Sequence, residues 1–279
     1  MISEEWLKAL NTEFRKNDIE PRKRPWEAIR RYSTDFGVSV AFSSKVANQI
    51  FEWFVAHSKS DAHQIGSLFE SVYFFDTQFW LVSVPIIYGS IELIPFDGLE
   101  QMPENIKNEL MSDEEQANEF VTFWGDCIDY GFGFDDLNNS SGLDEYGMQF
   151  FEAGNQELRV ASAILNQPRP DCRAILACRL AVEMFFKSFI ALKNGLTKEE
   201  AISIGHNLKK GLNKFIEISG YGHWEKLREE IGIFPEIHER YKPQDIPLRQ
   251  LWNGFVIAQS LGAVIVREYT DRDILGQKK

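Results

Sequence analysis

The chain has 279 residues, of which 44% are hydrophobic, so it can bury one large core or two ordinary ones. Its formal charge of −12 argues against a general nucleic-acid-binding protein, because neutralisation of phosphates supplies most of the non-specific affinity for nucleic acids. Three irregularly spaced cysteines are too few for a disulfide framework or a CxxC metal site, and we expect them to be inert thiols.

The first residues of the chain predict a helix. Ser3 is a suitable N-cap, because Glu4 and Glu5 then fall in the first turn, where carboxylates interact favourably with the helix dipole. Asn17-Asp18 is a suitable end for this helix. Its predicted apolar face consists of Trp6, Leu7, Leu10 and Phe14.

A basic stretch follows, with seven arginine and lysine residues between Arg15 and Arg31. One interpretation is contact with nucleic-acid phosphates while an aromatic ring stacks on a base. The candidate contact residues are Arg22, Lys23, Arg24 and Trp26. The alternative is a solvated helix face that balances the acidic middle of the chain, where Lys107 is the only basic residue between Lys59 and Arg159.

The next part of the chain changes from helical to strand patterning. Val40 to His57 repeats apolar residues at helix spacing. Beyond it, β-branched and aromatic residues separated by turn residues predict an antiparallel meander, with strands at roughly 69–75, 78–87 and 90–95. Pro85 argues for an edge or a bulge in the middle strand. Proline, glycine and glutamate interrupt this run, so it is no membrane span. The chain also begins without a signal-peptide pattern, which predicts a cytoplasmic protein with no membrane partner.

Residues 131–144, which read GFGFDDLNNSSGLD, predict a loop and a domain boundary after the helix expected from Asp113 to Tyr130. We therefore expect a mixed helix-and-strand domain at 1–140 and a second domain at 145–279. Acidic side chains occur around the loop, but their spacing lacks the sixth-position glycine and the twelfth-position glutamate of a calcium-binding loop. We therefore expect no metal ion there. These acidic residues are Asp126, Asp129, Asp135 and Asp136.

The second domain has a purely helical pattern. Long apolar periodicities predict helices at about 145–166, 171–193, 206–219 and 248–269, with a shorter piece near 224–233. Four long helices joined by short segments predict a helical bundle. The expected fold class is therefore mainly α with a small antiparallel β element (α+β).

One predicted helix combines apolar residues with a column of charges. Arg179, Glu183 and Lys187 are four residues apart, so they lie on one face of the helix and alternate in sign. Asn194-Gly195 ends this helix, and Gly205-His206-Asn207-Leu208 opens the next one.

These segments resemble a HEPN domain, a small helical bundle found in prokaryotic toxin, nucleotidyltransferase-associated and defence proteins. Family members often carry an Ala-x-Glu-x-x-x-Lys helix and then Gly-His-Asx-Leu at the start of the following helix. In this chain the matching positions are Ala181, Glu183, Lys187, Gly205, His206, Asn207 and Leu208. Many members also carry Arg-Tyr-x-Pro before the last helix, which matches Arg240, Tyr241 and Pro243. The resemblance covers roughly residues 145–270.

The resemblance implies a polar ligand site between facing helices of the bundle. Its candidate residues are Glu183, Lys187, His206, Arg240 and Tyr241. The alternative is purely structural: Glu183 and Lys187 form an ordinary pair one helical turn apart, and His206 caps a helix or bonds a carbonyl group.

The chain departs from the ribonucleases of this family at one motif. These enzymes are expected to carry an arginine followed after four to six residues by a histidine near the start of the last helix. Such a pair would move the proton of the 2′-hydroxyl and stabilise the phosphate charge during RNA cleavage. Here Arg240 is followed by YKPQDIPLRQLW, which contains no histidine, and His238 precedes it. We therefore expect no catalytic residues.

The sequence thus predicts a non-catalytic binding or regulatory protein that acts on a nucleotide, an RNA or a protein partner, in a toxin-antitoxin or phage-defence setting. It is expected to form a homodimer through its bundle and to need no cofactor or metal. The alternatives are a metal-independent ribonuclease and a helical scaffold that only dimerises.

Overall fold

A computed structural model describes residues 2–41, 44–58, 67–86, 93–220, 222–242 and 245–276. Only the backbone is described for Arg22, His223, Arg240 and Tyr241. The chain is mainly α-helical with one small antiparallel sheet, as the sequence predicted. It forms two compact units, Met1–Gly66 and Ser67–Lys279.

Two strands and eleven α-helices, joined by short 3-10 turns, lie in the described part of the chain. The strands are β1 (Phe69–Phe75) and β2 (Gln78–Val84). The helices are α1 (Glu4–Lys16), α2 (Arg24–Phe36), α3 (Lys45–Ala56), α4 (Glu104–Ser112), α5 (Glu114–Asn138), α6 (Glu145–Leu165), α7 (Ala174–Asn194), α8 (Lys198–Ile204), α9 (Leu208–Ser219), α10 (Leu227–Glu230) and α11 (Leu248–Tyr269).

The first unit consists of α1, α2 and α3 around a small core of its own. Leu10, Phe14, Ile29, Ile50 and Phe54 are buried in this core. Ser3 is the N-cap residue of α1 and Asn17 its C-cap, so the boundaries expected for the first helix are confirmed. Three short amphipathic helices are thus enough to bury a core in about 60 residues.

The sheet is a tight hairpin. β1 and β2 pair antiparallel from Phe69↔Val84 to Phe75↔Gln78. Asp76 and Thr77 form the two-residue turn and both have positive φ, as this hairpin turn requires. β2 was predicted to extend to residue 87, but it ends at Val84, because Pro85 has no N–H for the ladder. Residue 87 lies outside the described residues.

The third predicted strand falls partly on residues 90–92, which lie outside the described residues. The described remainder of that prediction is wrong, because Ile94 is only the N-cap of a 3-10 turn at Pro95–Gly98. The meander is therefore a hairpin in the described chain.

The predicted loop at 131–144 is wrong over its first half, because α5 continues to Asn138. Gly131 and Gly133 in this half are sites of close packing rather than turns. A Cβ at Gly131 would lie 2.8 Å from the Cβ of Phe69, and one at Gly133 would overlap the side chain of Val266. Glycine is required here because β1 and α11 approach the α5 backbone closely.

The division of the chain also lies elsewhere than the sequence indicated. The boundary between the two compact units lies in the chain between Gly66 and Ser67, not in the 131–144 segment. Phe69 and Val84 of the hairpin share one hydrophobic core with Phe151, Phe185 and Phe255 of the C-terminal helices. The hairpin, α4 and α5 therefore belong with the bundle, because they supply part of its core.

The bundle is built around α7, whose apolar residues face several neighbours. Phe185, Phe186 and Phe189 of this helix are fully buried. Their rings contact Phe151 of α6 and Phe215 of α9. The last helix, α11, begins and ends at the residues the sequence predicted.

A buried ion cluster connects α5 to α11 and to the residues after it. Arg267 lies 2.7 Å from a carboxylate oxygen of Asp126 and donates from Nε to Asp129 at 2.7 Å. Asp129 also accepts the backbone N–H of Ile274 at 3.0 Å, and Ser260 donates to Asp126 at 2.6 Å. Burial raises the pKa of Asp126, while the charge of Arg267 acts in the opposite direction. Two buried carboxylates therefore share one guanidinium group.

We expect Gly133→Ala to destabilise the protein by about 1–3 kcal/mol, because the added methyl group must displace the buried side chain of Val266. Gly232→Ala is the control, since a Cβ there meets nothing within 4 Å. Urea unfolding of both variants measures the difference. An equal effect of the two substitutions would contradict the close packing of α5 against α11.

We also expect Asp126→Asn to flatten the pH dependence of stability. The pKa of Asp126 is raised above its ordinary value of 3.8, so the folded chain keeps a proton that the unfolded chain has lost. The resulting stability is full below the unfolded pKa and is lost as the pH rises through the folded pKa.

Urea unfolding of wild type, Asp126→Asn and Asp136→Asn at several pH values above the ordinary pKa tests this expectation. Asp136, which pairs with Arg272 at the surface, is the control. A slope of unfolding free energy against pH that is the same in Asp126→Asn as in wild type would contradict it.

Candidate functional site

Three charged side chains are buried along one face of α7. Arg179 and Glu183 are each 2% exposed, and Lys187 is 6% exposed. Their spacing of four residues stacks them turn above turn. Charged groups at this depth are stable only when they are paired and hydrogen-bonded. This set of three residues is called the ionic column below.

Glu183 is the centre of the ionic column, because its carboxylate contacts three other side chains. Lys187 donates from Nζ to Oε1 at 2.8 Å, and Arg179 donates from Nη1 to Oε2 at 3.4 Å. The Nδ1 atom of His206 lies 3.0 Å from Oε1 and 3.1 Å from Oε2. A carboxylate can only accept, so Nδ1 carries the proton and Nε2 is left for other partners.

Arg179 connects the ionic column to two other segments. Its Nε donates to the carbonyl oxygen of Pro235 at 2.9 Å, and its Nη2 donates to the carbonyl oxygen of His206 at 2.6 Å. With the bond to Glu183, every nitrogen of the guanidinium group has an acceptor inside the protein. Arg179 therefore fixes the backbone on both sides of the site.

The local sequence presents His206 at the start of α9. Gly205, with φ of +56°, ends α8, and Asn207 is the N-cap of α9. The side chain of Asn207 accepts the backbone N–H of Lys210 at 3.0 Å. The imidazole between these two turns is 61% exposed although its Nδ1 contacts a buried carboxylate. Its Nε2 has no protein partner in the described part of the chain.

The ionic column carries more positive than negative charge. Arg179 and Lys187 are both cations, and Glu183 is the only carboxylate within ion-pair distance of either in the described residues. The carbonyl groups that accept from Arg179 offset part of the excess. The remainder favours an anion near the exposed edge of His206.

A cleft of about 490 Å³ adjoins the site. It lies between the first turn of α9, the segment that contains Pro235, and the start of α11. Arg179 and Lys209 line it together with Glu236 and Asp245. Gln250 also lines it and donates from Nε2 to the carbonyl oxygen of Ile233 at 2.7 Å. The cleft therefore offers carboxylate acceptors beside the positively charged column.

Three of the five predicted ligand residues converge in the structure. Glu183, Lys187 and His206 meet at one carboxylate. The side chains of Arg240 and Tyr241 lie outside the described atoms. Arg179, which the prediction left out of the site, belongs to it, and its position four residues before Glu183 was the available signal.

Three of the four candidate nucleic-acid contacts have described side chains, and each of these contacts another residue of the first unit. The side chain of Arg24 donates to the carbonyl oxygen of Ile19 at 2.8 Å and to Asn11 at 3.0 Å, so it holds α1 and α2 together. Lys23 pairs with Glu20. The ring of Trp26 packs edge-on against another aromatic ring of the first unit. The side chain of Arg22 is not described.

Metal ligands and buried thiols contribute nothing to this site in the described residues. No group of three or more histidine, cysteine or carboxylate side chains there is arranged to hold a metal ion. Burial raises the pKa of Cys127 and of Cys178, which keeps both as unreactive thiols. None of the described helices combines the length and the apolar composition that crossing a membrane requires.

We expect Lys187→Ala to cost more than about 1 kcal/mol of unfolding free energy, because it removes a buried partner of Glu183. Lys8→Ala is the control, since Lys8 forms the same kind of pair with Glu4 at the surface. Chemical denaturation of both variants measures the costs. Equal, small losses would show that Glu183 does not depend on Lys187.

No protein-family model, curated protein or solved structure matches this chain. The geometry of the ionic column and His206 is therefore the basis for a functional proposal.

Proposed function

We propose that this chain is a non-catalytic, HEPN-like binding protein that recognises a phosphate-bearing ligand, a nucleotide or an RNA, at the exposed edge of His206. The observation that carries the proposal is the excess positive charge of the ionic column beneath an oriented imidazole. One ring nitrogen of the imidazole is committed to Glu183, and the protonated ring can donate from the other, Nε2, to a ligand oxygen.

The start of α9 supports a phosphate at this position. His206 lies two residues before a helix of twelve residues, whose first turn carries Lys209 and no acidic residue. Backbone N–H groups and the helix dipole at such an end attract anions. The second unit, Ser67–Lys279, is strongly acidic as a whole, with twenty basic and thirty-three acidic residues. Recognition would therefore depend on this one location rather than on overall charge.

The adjoining cleft favours a nucleotide over a simple phosphate. Glu236 and Asp245 are among its lining residues, and carboxylate oxygens accept hydrogen bonds from the amino groups of bases. The side chain of Glu236 already accepts the backbone N–H of Glu239, which leaves Asp245 as the freer acceptor. A nucleotide with its phosphate at His206 would direct its base toward these groups. In this arrangement the phosphate lies near the positively charged ionic column and the base lies near the carboxylates of the cleft.

The state of Arg179 argues against cleavage. In-line RNA cleavage needs one group that moves a proton and a second that stabilises phosphate charge. Arg179 donates to the carbonyl oxygen of His206, and each of its nitrogens bonds to an acceptor inside the protein. These bonds use three of its five N–H groups, and the residue is only 2% exposed, which disfavours contact with a ligand phosphate. The ligand is therefore bound and not cleaved.

A ribonuclease is the second candidate, and one contact favours it. A histidine held by a carboxylate is the usual arrangement of a general base, and His206 has it. A dimerisation scaffold remains the third candidate, in which the bundle forms a homodimer and the site has no ligand. Cleavage and binding assays on the same variants separate the three.

The test compares wild type, His206→Ala and His238→Ala by fluorescence polarisation with 5′-phosphorylated and unphosphorylated oligoribonucleotides. Loss of a hydrogen bond to a charged ligand corresponds to about tenfold or more in affinity. We expect wild type to prefer the phosphorylated strand, His206→Ala to lose that preference, and the exposed His238 to be dispensable. Binding should also weaken with salt.

The same proteins are then incubated with RNA in chelator, which suppresses contaminating metal nucleases. Cleavage by wild type that disappears in His206→Ala would replace the binding proposal with the ribonuclease. Binding that is unchanged in His206→Ala but weakens on substitution of Lys23 and Arg24 would move the contact to the first unit. Absence of binding with a stable dimer in sedimentation would favour the scaffold.

A further inference from the structure

A second concave surface lies at the far end of α7 from Arg179. It is bounded by the last turn of α7, by α8 and by α9, and has a volume of about 550 Å³. This size is within the usual range of small-molecule sites, roughly 300–1,000 Å³. Its lining does not include Arg179, Glu183 or His206. It is called the α8 groove below.

The floor of the α8 groove is apolar and separate from the main core. Ile190 and Leu196 are buried in a small cluster of their own, and Ile204 and Ile218 pack against it while partly exposed. The partly exposed Ile204 and Ile218 leave apolar surface facing the groove. That surface favours an apolar group of a ligand.

Two lysines stand at the edge of this floor. Lys210 and Lys214 are four residues apart on α9, so like charges lie on one face of the helix, which is unfavourable without a compensating anion. Lys210 donates only to the carbonyl oxygen of Ser203, at 3.4 Å, and no carboxylate lies within ion-pair distance of it in the described residues. Lys214 pairs with Glu217 at the surface, where such a pair is weak.

The carboxylate in the lining of the groove is already committed. Glu200 accepts the backbone N–H of Thr197 at 2.9 Å, as part of the capping box that begins α8. Hydrogen bonds from Thr197 lower the pKa of Glu200, and the charge of Lys214 acts in the same direction. Glu200 therefore stays ionised and offsets one of the two lysines. Glu217 also pairs with Lys214, so Lys210 is the lysine at this edge that has no carboxylate within ion-pair distance in the described residues.

We propose that the α8 groove binds a small amphipathic monoanion, an aliphatic carboxylate whose head group contacts Lys210 and Lys214 and whose chain lies on Leu196, Ile204 and Ile218. A single lysine without a carboxylate partner favours a monoanionic carboxylate over a dianionic phosphate. This site goes beyond the proposed function, because it shares no residue with the ionic column or His206.

The test uses methyl-labelled full-length protein and octanoate as the probe. Titration should shift the methyl resonances of Ile190, Leu196, Ile204 and Ile218 and reach saturation near or below about 1 mM. Octanol keeps the chain without the charge, octylamine reverses the charge, and octyl phosphate adds a charge. Each should bind about tenfold or more weakly than octanoate.

Lys210→Met/Lys214→Met should lower octanoate affinity about tenfold while leaving the affinity for octanol unchanged, because only the head group loses its partners. Lys209→Met/Lys226→Met is the matched control, since it removes two exposed lysines that do not line the groove. The control should bind octanoate as wild type does.

Three results would overturn the proposal: no saturable shift of these methyl groups, octylamine binding as well as octanoate, or equal losses in the two double variants. Retained phosphorylated-RNA binding in Lys210→Met/Lys214→Met would show that the groove is independent of the His206 site. A failure of the groove would leave that site untouched, since their assays use different ligands.

Discussion

The carboxylate of Glu183 is the contact on which the arrangement of the C-terminal helices depends. It lies inside the bundle between Arg179 and Lys187, and it holds His206 at the start of α9. Arg179 extends the network to Pro235, so one helix, one helix start and one irregular segment share a single set of bonds. Ion pairs of this kind add little net stability compared with apolar side chains, because both charges lose their hydration. Their effect is to make other arrangements of these segments costly, since any shift would leave a buried charge unpaired.

A second buried ion cluster uses the same principle with the opposite balance of charge. Around Arg267, two buried aspartates share one guanidinium group, and burial raises the pKa of Asp126 so that a proton can relieve the excess. Around Glu183, two cations share one carboxylate, and no proton can relieve that excess. The cluster at Arg267 therefore fixes α11 to α5 and needs no ligand, whereas the ionic column presents its excess charge at an exposed imidazole. This difference is why we propose a ligand at His206 and only a structural role for Arg267.

Most of the helices and the hairpin could be predicted because their signals are local. Apolar periodicity located α11 at its observed residues, and the Asp76-Thr77 turn located the hairpin. The column was predicted in the same way, because a spacing of four residues places side chains on one helix face. The loop predicted at 131–144 was wrong over its first half because glycine has two different structural roles. It permits turns, and it also permits close approach of a helix to its neighbours, and Gly133 serves the second use against Val266.

The sequence by itself determined the mainly helical fold, the alternating charges on α7 and the glycine and asparagine that frame His206. These features depend on residues within a few positions of one another, so local geometry is enough to read them. Only the tertiary structure decided that the column is buried and that the hairpin belongs to the core of the bundle. It also decided that Arg179 donates hydrogen bonds to carbonyl groups of distant residues. Burial and long-range pairing depend on which surfaces meet when the whole chain packs. The spacing of residues along one helix contains no information about which other segment will pack against that helix.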